Sequence, residues 1–391
     1  MKPTILLSFL LLTINFCFAQ NLNSGGPAES GFYEEIPFEQ INGKIIIDIE
    51  IAGRIHKFLL DTGAPVTISD EIATELGINP AKESNVVDAY GNVSSTKIAL
   101  VNNIKLGNVN FKNIPALIGT NVIFKCLGVD GNIGSNLLRN TIISFNSKNK
   151  TITITDNASR LNLEPKDHIP LDIKKDKQST PFFILEVANG VTGDYFIDTG
   201  SGGFLTLSTT YMNIFKAHNS CEILTTGYGS NSVGENGIEN SNVKQRVMFP
   251  SIKLDNAVFK HVKAETVFNN TGSGNNTIGV KLLDYGILTL DYIGRRLYFD
   301  PFTPETDLAE KSWSISPTYS EGKLLVGVVW DKLKDKVKPG EQIIAIDGVS
   351  CEQVDLCNLL TQKSILQGRE QATLTIKDEK GNLSQLMIVK E

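Results

Sequence analysis

The chain has 391 residues, 41% of them hydrophobic and 20% charged, with 37 basic against 43 acidic side chains. That composition excludes a disordered protein and is long enough for two or three domains with cores of their own. A formal net charge of −6, with no cluster of Lys and Arg to interrupt it, argues against a nucleic-acid partner.

Residues 1–19 pair Lys2 with an apolar run over 5–14 and end in Cys17-Phe18-Ala19, small residues at the two positions a signal peptidase inspects. Export is expected, to a periplasm or the extracellular space, with a mature start near Gln20. Phe16 before Cys17 argues against a lipoprotein signal. No later apolar run reaches the ~18 residues of a spanning helix, so no membrane span is expected. Cys126, Cys221, Cys351 and Cys357 then remain. Cys351 and Cys357 are the nearest pair, but spacing does not choose among the connectivities, and free thiols are the alternative. His56, His168, His218 and His261 are scattered, without HExxH or CxxC spacing, which argues against a metal site or a His-dependent nucleophile.

After an N-terminal lead over 20–39, short β-rich runs are punctuated by Gly and Asn at 44–51, 57–60, 97–101, 141–145 and 151–154. Ser69 with Asp70-Glu71 starts a helix that Gly77 ends, and 208–216 is its counterpart. The pattern occurs twice. Phe58-Leu59-Leu60-Asp61-Thr62-Gly63-Ala64 returns 137 positions later as Phe196-Ile197-Asp198-Thr199-Gly200-Ser201. Ile104-Lys105-Leu106-Gly107-Asn108 returns as Ile252-Lys253-Leu254-Asp255-Asn256. Ile133-Gly134, followed by Ile142-Ile143-Ser144-Phe145-Asn146, returns as Ile278-Gly279 and Ile287-Leu288-Thr289-Leu290-Asp291. A unit of roughly 115 to 130 residues has been duplicated. Two units imply two lobes, 40–157 and 158–304.

A carboxylate at a strand end followed by Thr-Gly suits a tight turn that projects the Asp into a cleft, the glycine leaving room for another backbone. If a pseudo-twofold axis relates the lobes, Asp61 and Asp198 meet at it. Two carboxyls that close hold one proton between them over a wide pH range. In that state one member can activate a water while the other donates to a peptide carbonyl, with no cofactor and no metal.

The paired Asp-Thr-Gly words, each with apolar residues before it and an Ile-Gly word after it, resemble the aspartic proteases, in the bilobal pepsin-like arrangement with short retropepsin-like lobes. The resemblance covers residues 40–300. It implies an all-β, bilobal double β-barrel with Asp61 and Asp198 as catalytic dyad. Thr62 and Thr199 would hydrogen-bond across the lobes, and Ile133-Gly134 and Ile278-Gly279 would pack behind the loops. Gly63, Gly200 and Ser201 would support the dyad. Ser201 can donate to Asp198 where Ala64 offers Asp61 nothing, so Asp198 is expected to be the more acidic member. Asn132 and Thr277 stand before Ile-Gly where the family prefers an apolar residue. Tyr90-Gly91 and Tyr228-Gly229 lie at matching distances beyond their Asp residues and resemble the family's cleft-covering hairpins, which suggests two flaps; the run 227–237 has the Gly- and Asn-rich composition of a lid.

Composition changes after Pro301-Phe302-Thr303-Pro304. Strands are expected at 324–330, 343–346, 372–376 and 386–389, with a helix over 355–362. Residues 313–391, with Pro339-Gly340-Glu341 before Ile343-Ile344-Ala345-Ile346-Asp347-Gly348, resemble a bacterial PDZ domain of α+β type. That resemblance implies capture of a C-terminal peptide at a sheet edge, although its glycine-rich carboxylate loop is not evident in 313–322. The sequence therefore reads as an exported, monomeric aspartic endopeptidase acting on extended polypeptide, with a PDZ-like module for docking or control. The rival reading is a silent peptide-binding protein that keeps the protease fold, against which both Asp residues speak.

Overall fold

The computed structural model describes residues 22–78, 82–88, 90–163, 167–234, 237–268 and 275–391; the expected signal segment lies outside them. Among the described residues the strands fall into two large sheets, of 16 and 14 strands, and one two-stranded ribbon. No helix among them is long and apolar enough to cross a membrane.

Alternating and continuous apolar runs decide which strands lie at the surface and which are buried. In Lys44–Ile51 the side chains of Ile45, Ile46, Ile47, Ile49 and Ile51 are buried while Asp48 faces solvent. This strand turns through Ala52-Gly53, both at positive φ, into Arg54–Asp61, a two-residue hairpin whose turn demands that conformation. Phe182–Glu186 and Thr192–Asp198 repeat the hairpin in the second lobe. Ser69 and Ser208 each cap a short helix, Asp70–Glu75 and Thr209–Ala217, by accepting from a backbone N–H in its first turn.

The lobes meet in a shared antiparallel sheet. Ile142–Asn146 pairs with Gly286–Asp291, and Ser144 lies opposite Thr289, its own counterpart in the duplication. Their hydroxyls are 2.9 Å apart on the pseudo-axis. Thr151–Thr155 and Tyr33–Ile41 extend this sheet on one side and Arg296–Pro301 on the other. Tyr33–Ile41 thus belongs to the first lobe, which begins before residue 40; its Glu- and Pro-containing sequence, Tyr33-Glu34-Glu35-Ile36-Pro37, hid a strand with one solvent-facing side. One apolar core runs through both lobes, from Ile36 to Phe299.

Among the described residues the mostly β architecture is as expected, but no closed barrel is found. Strand order runs open from end to end in both sheets. The strands of each lobe run on into the interlobe sheet, or into the C-terminal module, instead of returning to close on themselves.

The C-terminal module has its own core, built on Ile315, Val326, Ile343, Leu374 and Ile388. Its strands are Ile315–Ser320, Lys323–Trp330, Gln342–Ile346, Gln371–Lys377 and Leu383–Val389, and its helix is Leu356–Thr361. It is bound to both lobes. Toward the second lobe, Val328, Val329 and Trp330 pair with Gly229, Tyr228 and Gly227 of the strand Glu222–Gly229. Beside that seam Arg246 stacks 3.9 Å over the Trp330 ring and donates to the carbonyl of Trp313 and the hydroxyl of Ser316. Toward the first lobe, Cys126 on the helix Val122–Leu127 is disulfide-bonded to Cys357 on the module's helix. The neighbours Cys351 and Cys357 are not partners: Cys351 is buried as a free thiol, as Cys221 is half-buried.

The only two tryptophans of the chain, Trp313 and Trp330, lie in this module, so their fluorescence reports the module and, through Trp330, its seam with the second lobe. Cys357→Ser frees a cross-link between residues 231 apart and is expected to destabilise the docked module by about 2 to 5 kcal/mol. Urea unfolding followed by tryptophan emission should show the lower midpoint, and an unchanged midpoint would mean that docking does not use the bridge.

Candidate active site

Asp61 and Asp198 end equivalent strands. Arg54–Asp61 runs parallel to Gly131–Gly134, with Gly134 beside Asp61, and Thr192–Asp198 runs parallel to Asn276–Gly279, with Gly279 beside Asp198. The two Ile-Gly words lie behind the loops, each packed on its own Asp strand.

The loops are joined by four crossed hydrogen bonds. Thr62 donates its N–H to Thr199 Oγ1 at 3.1 Å and its hydroxyl to the Ile197 carbonyl at 2.8 Å. Thr199 returns both, to Thr62 Oγ1 at 3.1 Å and to the Leu60 carbonyl at 2.7 Å. Both threonines are wholly buried. A valine of the same shape would leave two buried groups unmet, which is why a hydroxyl is needed there.

Gly63 and Gly200 make the approach possible. A Cβ on Gly63 would lie 2.7 Å from Asp198 Cγ, and one on Gly200 would overlap the Asp61 carboxylate. Each loop therefore presses its glycine against the opposite Asp. Each Asp also accepts a backbone N–H of its own turn, Gly63 to Asp61 Oδ1 at 2.9 Å and Ser201 to Asp198 Oδ1 at 3.0 Å.

The carboxyl groups are hydrogen-bonded to each other. Each residue keeps some solvent access at the cleft, but its carboxyl is enclosed by protein. Burial raises the pKa of both. Asp198 is pushed up to about 7, by burial first and then by the charge of Asp61, so the pair holds one proton well above the ordinary carboxylate range. The donor expected from Ser201 is not in place. That residue engages Asp198 through its backbone N–H, and among the described residues its hydroxyl makes no hydrogen bond, so the donor meant to stabilise the Asp198 anion is not engaged.

The two tyrosines expected over the cleft part company. Asp88 accepts from the N–H groups of Tyr90 and Asn92 and closes the tip of the hairpin formed by Lys82–Val87 and Val93–Val101, with Gly91 at positive φ. Tyr90 reaches Ser232 of the second lobe through a side-chain hydrogen bond. Burial, then the charges of Glu239 and Asp198, push its phenol up to about 12. Tyr228, by contrast, is 53% exposed. It lies with Gly229 on the strand pinned to the module, so that hairpin is not free to move as a second flap. Of the lid-like run 227–237, residues 235–236 lie outside the described residues.

Several contributors were not foreseen. Ser135 donates to the Thr62 carbonyl at 2.6 Å and meets the buried Tyr292 hydroxyl at 2.9 Å, bracing the first loop from the other lobe. Asn132, an odd residue before Ile-Gly, donates to the Pro65 carbonyl at 2.8 Å and so holds the end of the same loop. Lys44 donates to the Gly200 carbonyl and Gln178 to that of Gly63. Nothing in the sequence around a Lys after Asn42-Gly43, or a Gln in a polar stretch, separates these from surface residues.

Residues 47–137 match the family model of the aspartyl proteases. That match covers most of the first lobe and includes Asp61, Thr62 and Gly63. No curated protein matches the chain. Among solved structures, a retropepsin-like aspartic protease from Rickettsia conorii is 21% identical over 32% of this chain and 89% of its own, with a TM-score of 0.25. Basic 7S globulin from soybean is 10% identical over 68% of this chain and 94% of its own, with a TM-score of 0.41. Conglutin gamma, a basic 7S globulin from lupine seeds, is 11% identical over 68% and 94%, with a TM-score of 0.39.

The raised carboxyl has a thermodynamic signature. The folded chain keeps the Asp198 proton up to about pH 7, whereas the unfolded chain releases it near 3.8, so stability from this group falls as pH rises between those values. Asp198→Asn cannot ionise. Its melting temperature should exceed that of the parent chain at pH 8 and approach it at pH 4; a difference independent of pH would contradict the assignment.

Proposed function

We propose that the chain is an exported aspartic endopeptidase that hydrolyses peptide bonds in extended polypeptides with a water held between Asp61 and Asp198. The observation that carries this reading is the pair of enclosed, mutually hydrogen-bonded carboxyls at the ends of two duplicated strands. Asp61, the ionised member, takes a proton from the water as it attacks the peptide carbonyl. Asp198, the protonated member, donates to the carbonyl oxygen as the tetrahedral adduct forms. The proton taken from water then goes to the leaving amine as the C–N bond breaks. The crossed threonines keep the carboxyls from drifting apart during this cycle, which is the positioning that such chemistry depends on.

Tyr90 acts as the lid residue. Its hairpin closes over the cleft through Ser232 and excludes bulk water, and this one hairpin opens for substrate. The Cys126–Cys357 bridge supports an oxidising compartment and hence export to a periplasm or the outside. The C-terminal module, PDZ-like in its sequence, is the candidate for docking substrate ends; its fixed seat on both lobes favours a part in shaping the cleft.

Incubation of the full chain with an unstructured protein between pH 4 and 7 tests the reading. Cleavage is expected, and Asp61→Asn or Asp198→Asn should each reduce kcat/KM by about a thousandfold or more. Cleavage that continues undiminished in both variants would point to different chemistry.

A further inference from the structure

Each lobe sends one hydrogen-bond donor across to the other lobe's Asp-Thr-Gly loop. From the first lobe Lys44 leaves the Asn42-Gly43 turn and donates its ammonium to the Gly200 carbonyl. From the second lobe the amide of Gln178 donates to the Gly63 carbonyl at 3.1 Å. The donors hold related places in the duplicated unit. Lys44 heads the strand that pairs with Arg54–Asp61, and Gln178 stands just ahead of the strand that pairs with Thr192–Asp198. One is a cation and the other is neutral.

The Lys44 position is built rather than incidental. Its turn is held from a third body, the module, because Asn42 Nδ2 donates to the Leu360 carbonyl at 3.0 Å. Gly200, the residue it grips, is the one pressed against the Asp61 carboxylate. An ammonium on that carbonyl stands beside the pair, and its charge acts on both carboxyls, opposing the effect of burial. The other titratable group facing the pair is Tyr90 from the hairpin tip, with Asp88 and Glu239 near its phenol. Glu239 is itself ion-paired with the buried Lys244.

We propose that Lys44 is a positioning residue for the dyad, which fixes the Asp198 loop from the opposite lobe and holds one negative charge on the carboxyl pair. Enclosure alone favours the doubly protonated pair, which contains no base. A cation nearby restores the singly ionised state that hydrolysis needs, and the Gln178 amide cannot do the same. The inference rests on the reading of Asp61 and Asp198 as the catalytic dyad.

The test uses the full chain with Lys44→Gln, which keeps an amide donor like Gln178 but removes the charge, and Lys44→Arg, which keeps the charge. The kcat/KM of a quenched fluorescent peptide is followed against pH. Loss of a nearby cation raises both ionisations of the pair, so both limbs of the Lys44→Gln profile should move up by about one pH unit. The Lys44→Arg limbs should stay with those of the parent chain. In parallel, carboxyl ¹³C resonances of Asp-labelled protein, assigned with Asp61→Asn and Asp198→Asn, are titrated without substrate and should shift by the same amount. Limbs and resonances of Lys44→Gln that coincide with those of the parent overturn the proposal, even if the rate falls evenly at every pH. If the chain cleaves nothing, the protease reading fails and the ¹³C titration still decides Lys44. Should Lys44→Gln not fold, Gln178→Lys supplies a second cation and should move both ionisations down; no movement there overturns the proposal equally.

Discussion

The structure depends on two carboxylic acids being forced together against their solvation. Left free, the Asp61 and Asp198 loops would separate to let each acid ionise in water. The crossed bonds of Thr62 and Thr199 prevent this because each hydroxyl is wholly buried and donates to a carbonyl that has no water to turn to. Breaking the crossing strands polar groups in the core, which costs more than the bonds are worth in isolation. Opposition between acid repulsion and buried hydroxyls is what leaves one proton shared at the seam.

Around that seam the duplication accounts for geometry, and departures from it account for chemistry. Ser144 faces Thr289 across the axis, and Gly134 and Gly279 sit at matching places beside their Asp residues. A perfectly symmetric pair would not distinguish acid from base. Here the neighbours differ, with an ammonium on one loop and an amide on the other, and with Tyr90 of one lobe buried against Ser232 of the other.

Much of this was legible in the chain. The repeated Asp-Thr-Gly and Ile-Gly words located the strands that carry the site, and Ser69 and Ser208 announced their helices, because turns and caps are local physics written in a few adjacent residues. Contacts made between distant segments were not legible. Cys126 and Cys357 lie in unrelated stretches, Tyr228 imitates Tyr90 in its neighbours but not in its surroundings, and Lys44 matters only because a turn brings it to Gly200. Ser201 shows the same limit, because a hydroxyl close in sequence need not point at the acid it follows.

The strand Glu222–Gly229 uses Val328–Trp330 as its outer neighbour, and Arg246 uses the Trp330 ring as its cover. A chain ending at the proline-bounded linker would therefore expose a raw sheet margin at Gly227–Gly229 and an uncovered guanidinium beside it, the kind of surface through which proteins stick to one another. Although the two lobes arose as copies, the second has an edge that only the module covers among the described residues.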